Sequence, residues 1–65
     1  MVELTARECG IAHLVACGWN DQRIGAFFFI APHSVHNHLT RIRAATKTLT
    51  RAHLAYWWYE NVLRK

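Results

Sequence analysis

A chain of 65 residues is one domain at most, of a size that buries only about 60% of the surface its unfolded form exposes. No apolar run reaches the roughly 18 residues of a membrane span, and Met1 is followed by Glu3 and Arg7 in place of a signal-peptide pattern, so a soluble, cytoplasmic protein is expected. Lys and Arg number eight against four acids, and those acids are Glu3, Glu8, Asp21 and Glu60, leaving 22–59 without any while it carries Arg23, Arg41, Arg43, Lys47 and Arg51; a polyanion is the partner this balance suggests.

Thr5-Ala6-Arg7-Glu8 fits a capping box, in which Thr5 accepts from the backbone three residues on and Glu8 reaches back. Ile11, Leu14 and Val15 recur at helical spacing and Gly18 suits a left-handed cap, so a first helix is predicted over about 6–17. Gly10 weakens it by about 0.5–1 kcal/mol relative to Ala. Cys9 and Cys17, on that helix, lie about 12 Å apart. A disulfide needs Cα atoms within about 7 Å, so these two are expected as partly buried free thiols. Asn20-Asp21 offers the next cap, and Ile24 with Phe28 forms a stripe for a short second helix, 21–28. Phe27 and Phe29 flank the stripe, so the three consecutive phenylalanines cannot all point inward.

Pro32 suits the first turn of a third helix, predicted over 33–45. At about 100° per residue, Leu39 and Ile42 each fall within about 40° of Val35, and the three define its buried face, which Thr46 extends weakly. Opposite lie His33, Asn37, Thr40 and Ala44, flanked by His36, Arg41, Arg43 and Lys47, with no acid among them. Thr50 caps a fourth helix, 51–63, whose stripe of Ala55, Trp58, Tyr59 and Val62 is joined by Leu54, Tyr56 and Trp57 around the rest of the circumference. A helix apolar nearly all round is buried on more than one side, and a chain this small cannot cover it alone. Leu54, Trp57 and Trp58 are therefore expected at a self-association or partner surface, with Phe27 and Phe29 as a further protein contact. Four helices, no period-two alternation and no repeat give an all-α class.

The histidines of "IAPHSVHNHLTRIR" could hold a metal only if they converged. His36 and His38 point about 200° apart on a helix. No Cys or acid is near, and no nucleophile–base–carboxylate set is visible, so neither metal, cofactor nor enzymatic activity is expected. His38, at the edge of the core stripe, is expected to be satisfied by hydrogen bonds; His33, His36 and Asn37 face outward.

"LTARE" at Leu4 to Glu8, "NDQRIG" at Asn20 to Gly25, Ile30, "SVHNH" at Ser34 to His38, and Arg51 occur in an order and spacing that resembles the LuxR-type (GerE-type) helix-turn-helix of bacterial transcription regulators. The resemblance is gapless over about 4–55. It implies a four-helix domain whose third helix enters the DNA major groove and whose fourth mediates dimerisation. Position by position, it implies base reading by His36, Asn37 and Thr40. Ser34 and Arg41 fall at groove-edge or phosphate positions, and His38 matches the family's histidine. Asn pairs bidentately with adenine, Thr meets a thymine methyl and His donates to guanine. His33 lies on the same outer rim, and Arg43, Lys47 and Arg51 would hold phosphates.

Some positions depart from the family. Ala31 stands where it prefers Ser, which removes a side-chain cap, and His36 stands where Lys or Arg is common. Gly10, Phe27 and Thr46 replace usually polar, polar and Leu positions. Members commonly carry a sensory or receiver domain ahead of this module. With Leu4 so near Met1, this chain is expected to be either a stand-alone regulator or a piece of a longer protein. The expected function is a sequence-specific, dimeric double-stranded DNA-binding transcription regulator. The alternative is a small protein-interaction module of the same fold that binds RNA polymerase or another regulator through its aromatic surface.

Overall fold

A computed structural model describes residues 4–64. Four α-helices follow one another: α1 (Ala6–Ala16), α2 (Asp21–Phe28), α3 (Pro32–Thr46) and α4 (Arg51–Trp58). The last continues as a π-helical turn, Tyr59–Leu63. No strand occurs among the described residues.

The helices start where side chains supply caps. The Thr5 hydroxyl accepts from the Glu8 N–H at 3.1 Å, and the Glu8 carboxylate accepts from the Thr5 N–H at 2.9 Å, completing the expected capping box. Asn20 caps α2 by accepting from the Arg23 N–H, and Thr50 caps α4 by accepting from the His53 N–H. α3 has no side-chain cap. It begins at Ala31-Pro32, where proline's missing N–H costs nothing because that position lacks an intrahelical partner anyway.

Helix ends follow less obvious chemistry. Gly18 takes φ +90 after α1, as its position suggests, but α2 and α3 end on Phe29 and Lys47, at φ 60 and 58. Gly25 makes room for the first of these. The Ile30 N–H donates to the Gly25 carbonyl at 2.9 Å. A Cβ on Gly25 would stand 2.5 Å from the Ile30 carbonyl oxygen. The chain thus turns back tightly over Gly25, and Phe29 takes up the reversal. Gly10, a weak point on propensity, serves packing: a Cβ there would lie 2.9 Å from the Phe28 ring.

α1 packs on α3 and α4, and α2 packs on α3. Ile11, Ala12, Val15, Ile24, Val35, Leu39, Ile42, Leu54 and Trp58 form the buried core. The predicted α3 stripe is all here. Thr46 is buried too, where its hydroxyl lies 3.0 Å from that of the equally buried Thr48 and donates to the Ile42 carbonyl.

Three expectations need correction. Leu54 and Trp58 are not at a partner surface, because this i, i+4 pair is buried in the core of the chain, with Trp58 against His13 of α1. Trp57 is half-buried, and Tyr56, Tyr59, Val62 and Leu63 face outward instead. Beyond Trp58 the wider π turn breaks the 3.6-residue spacing, so Tyr59 and Val62 do not continue a buried stripe. Cys17 is exposed, while Cys9 is half-buried as expected.

Candidate nucleic-acid interface

The outward side of α3 follows from its buried one. Val35, Leu39, Ile42 and Thr46 face the core, so residues about 180° away must face solvent. His33, Asn37, Thr40 and Ala44 form that row and are exposed, with His36 and Lys47 exposed beside them. The Thr40 hydroxyl donates to the His36 carbonyl at 3.1 Å, which fixes its rotamer and leaves its methyl and oxygen lone pairs for a partner.

Two recesses border this row. Ser34, Asn37, His38 and Arg41 line one of about 200 Å³. His36, Leu39, Arg43 and Arg51 line another of about 150 Å³. At about 100° per residue these two sets lie on opposite flanks of the helix. A polar row therefore runs between two edges, each furnished with guanidinium groups.

The cations are not equally available. Arg41 lies 3.7 Å from Glu8 but keeps 71% of its side chain exposed, so this is a loose tether. Glu8 is the better fixed partner. Its carboxyl is held below the usual carboxylate range chiefly by the Thr5 backbone N–H, with burial pulling the other way and the Thr5 hydroxyl and Arg41 adding to the lowering. Arg43 donates to the Leu49 carbonyl at 3.2 Å. Lys47 stands exposed at the C-terminus of α3.

Arg51, expected as a phosphate contact, has other work. It pairs with Asp21 and donates to the Trp19 carbonyl at 2.7 Å, joining the start of α4 to the start of α2. Neither this pairing nor that of Glu8 with Arg41 could be anticipated from the run of residues between 22 and 59. Both acids lie outside the stretch and return to its arginines through the fold. The expected hydrogen bond to His38 is also not found: its Nδ1 is buried without a partner among the described residues. His38 sits half-buried at the rim where α3 turns from core to surface.

Among the described residues no group of three His, Cys, Asp or Glu side chains could hold a metal ion. No described helix is long and apolar enough to cross a membrane.

A search of curated proteins and a search of solved structures gave no match. The family profile for GerE, bacterial regulatory proteins of the luxR family, matches residues 2–57, nearly the whole chain and all of α1, α2 and α3. With its four helices in this order and its polar, acid-free α3 face, the chain belongs to the luxR family of bacterial regulatory proteins and carries that family's GerE-type DNA-binding helix-turn-helix.

Proposed function

We propose that the protein is a sequence-specific transcription regulator that reads double-stranded DNA by placing α3 in the major groove. The observation that carries this reading is the exposed row of His33, His36, Asn37 and Thr40, free of acids and edged by Arg41, Arg43 and Lys47. Asn37 supplies the paired donor and acceptor that adenine N6 and N7 require; the Thr40 methyl meets thymine; His36 donates to guanine. Ser34 and His33 hold the groove edge, and Arg41, Arg43 and Lys47 neutralise phosphates. Arg51 contributes mainly by holding α4 against α2. The protein acts in the cytoplasm at the nucleoid, needs no cofactor and catalyses no reaction.

The test is selection of bound sequences from random double-stranded DNA, followed by Asn37→Ala. The substitution should cost about 1–3 kcal/mol on the selected site and relax specificity at one base pair. Equal binding of all sequences by parent and variant would sink direct readout through α3.

Dimerisation belongs to the same proposal. The exposed Tyr56, Tyr59, Val62 and Leu63 support an apolar contact between two copies along the C-terminal segment, with half-buried Trp57 beside them. A palindromic selected site with half-sites about 10 bp apart would agree with it. A monomer by sedimentation, with and without DNA, would exclude it.

A second reading, a protein-interaction module that binds RNA polymerase or another regulator, is favoured by one observation. Phe27, in the last turn of α2, and Phe29, just past its end, are 59% and 95% exposed.

A further inference from the structure

The surface around α2 carries a second constellation that shares no residue with the α3 face. Trp19 precedes the helix and Phe27 and Phe28 end it. The Trp19 and Phe27 ring centroids are 5.8 Å apart with planes at 84°, and those of Phe27 and Phe28 are 5.0 Å apart at 83°. Arg23 lies over the Trp19 ring at 4.0 Å from its centroid, and Arg7 over Phe28 at 5.8 Å. Phe29, adjoining, takes a left-handed backbone with its side chain almost wholly in solvent. Here a run of aromatic rings is bordered by two guanidinium groups.

Charge says what would cover it. The three acids of the described residues are engaged elsewhere: Glu8 with Arg41, Asp21 with Arg51 and Glu60 with Arg64. No described acid therefore neutralises Arg23 or Arg7. Apolar rings edged by cations that no described acid neutralises complement a chain segment that alternates apolar side chains with carboxylates. A single-stranded nucleic acid fits less well. It stacks bases on open aromatic faces, whereas the Trp19 face is already occupied by Arg23 and successive rings stand perpendicular, offering no parallel faces to stack on.

We infer that the Trp19–Arg23–Phe27 surface docks an acidic, apolar segment of a partner protein. This deepens the second reading above by fixing the residues and the chemistry of the partner, and it is independent of base reading by α3. Apolar side chains of the segment would lie on Phe27 and Phe29, and its carboxylates would meet the outer edges of the Arg23 and Arg7 guanidiniums. Cation–aromatic packing holds Arg23 in place beforehand, so less side-chain freedom is lost when a carboxylate arrives.

The experiment is a selection of displayed random 12-residue peptides on the full chain, with binding of the enriched peptides then measured by fluorescence anisotropy. Enriched sequences should combine Asp or Glu with Leu, Ile or Phe. Phe27→Ser and Arg23→Gln should each weaken them at least about tenfold, as expected for an anchor residue. Arg23→Glu should transfer preference to peptides in which Lys replaces the acids, and this reversal remains readable if Phe27→Ser does not fold. Circular dichroism and binding to the selected DNA should be unchanged in the Arg23 variants. Any of four results overturns the inference: no enrichment; enrichment of basic or uncharged peptides; tighter binding of an oligothymidine than of any peptide at these residues; or self-association abolished by Phe27→Ser. Failure of the parent to bind DNA overturns the DNA reading alone and leaves the peptide result standing.

Discussion

Replacing Arg51 by Ala separates two roles that the sequence alone merges. If Arg51 is a fastener between α2 and α4, the loss is felt in folding; if it is a phosphate ligand, it is felt in DNA affinity. Its side chain is 42% exposed and that of Asp21 30%, so the ion pair is substantially screened and contributes about 0.2–1 kcal/mol. The second bond, to the Trp19 carbonyl at 2.7 Å, adds about 0.5–1.5 kcal/mol. Together, Arg51→Ala should destabilise by about 1–2 kcal/mol, which for a chain of this size lowers the melting temperature by about 4–16 °C. Arg51→Lys should recover about half of the loss, because an ammonium lacks the fork that reaches both acceptors at once. Urea and thermal unfolding followed by circular dichroism supply the stability. DNA affinity against salt, measured where both proteins are folded, supplies the other quantity. The reasoning is refuted if Arg51→Ala unfolds at the parent's urea midpoint while its affinity falls and the slope of log affinity against log salt drops by about one.

Three more expectations rest on single features. Thr46→Val should destabilise by about 1–2 kcal/mol because it strands the buried Thr48 hydroxyl, and adding Thr48→Val should restore most of that; additive urea midpoints would show that the two hydroxyls do not act as a pair. Lys47→Gly should stabilise by about 0.5–1 kcal/mol by relieving the left-handed backbone, while weakening binding to all DNA sequences alike; stability unchanged or lowered would remove the strain from consideration. Glu8 has a folded pKa below its ordinary value of 4.5, so its stabilising contribution is complete above that value and is lost as pH falls through the lower, folded one. The stability gap between parent and Glu8→Gln should accordingly narrow on acidification below about pH 4.5, and a gap constant from neutral pH to about pH 3 would contradict the assignment.

What could be read in advance was local. Thr5 with Glu8, Asn20 and Thr50 announce helix starts because their side chains bond within the next turn, and Val35, Leu39 and Ile42 mark a buried face because polar residues surround them. α4 gave no such contrast. With apolar residues at nearly every angle, periodicity does not choose a face, and the pair that the core buries, Leu54 and Trp58, was not distinguishable from Tyr56 and Tyr59. The outer row of α3 was legible for the same reason as its core stripe. The state of its flanking arginines was not, since the Asp21–Arg51 pairing spans 30 residues and depends on how α2 and α4 meet. Nor do Phe29 and Lys47 advertise positive φ as Gly18 does.

The division of α4 between two faces has a thermodynamic consequence. Leu54 and Trp58 are sealed in the core of one copy, where the Trp58 indole N–H also donates to His13 Nδ1 at 3.3 Å. The helix is thus part of the folding unit, and removing it would open the core. Association through Tyr56, Tyr59, Val62 and Leu63 would draw on other side chains and would add stability by mass action, rising with the logarithm of protein concentration. If the chain associates as proposed, folding and assembly would be separable equilibria, and substitutions at Tyr56, Tyr59, Val62 and Leu63 would retune oligomerisation while the folded monomer with its α3 face stays intact.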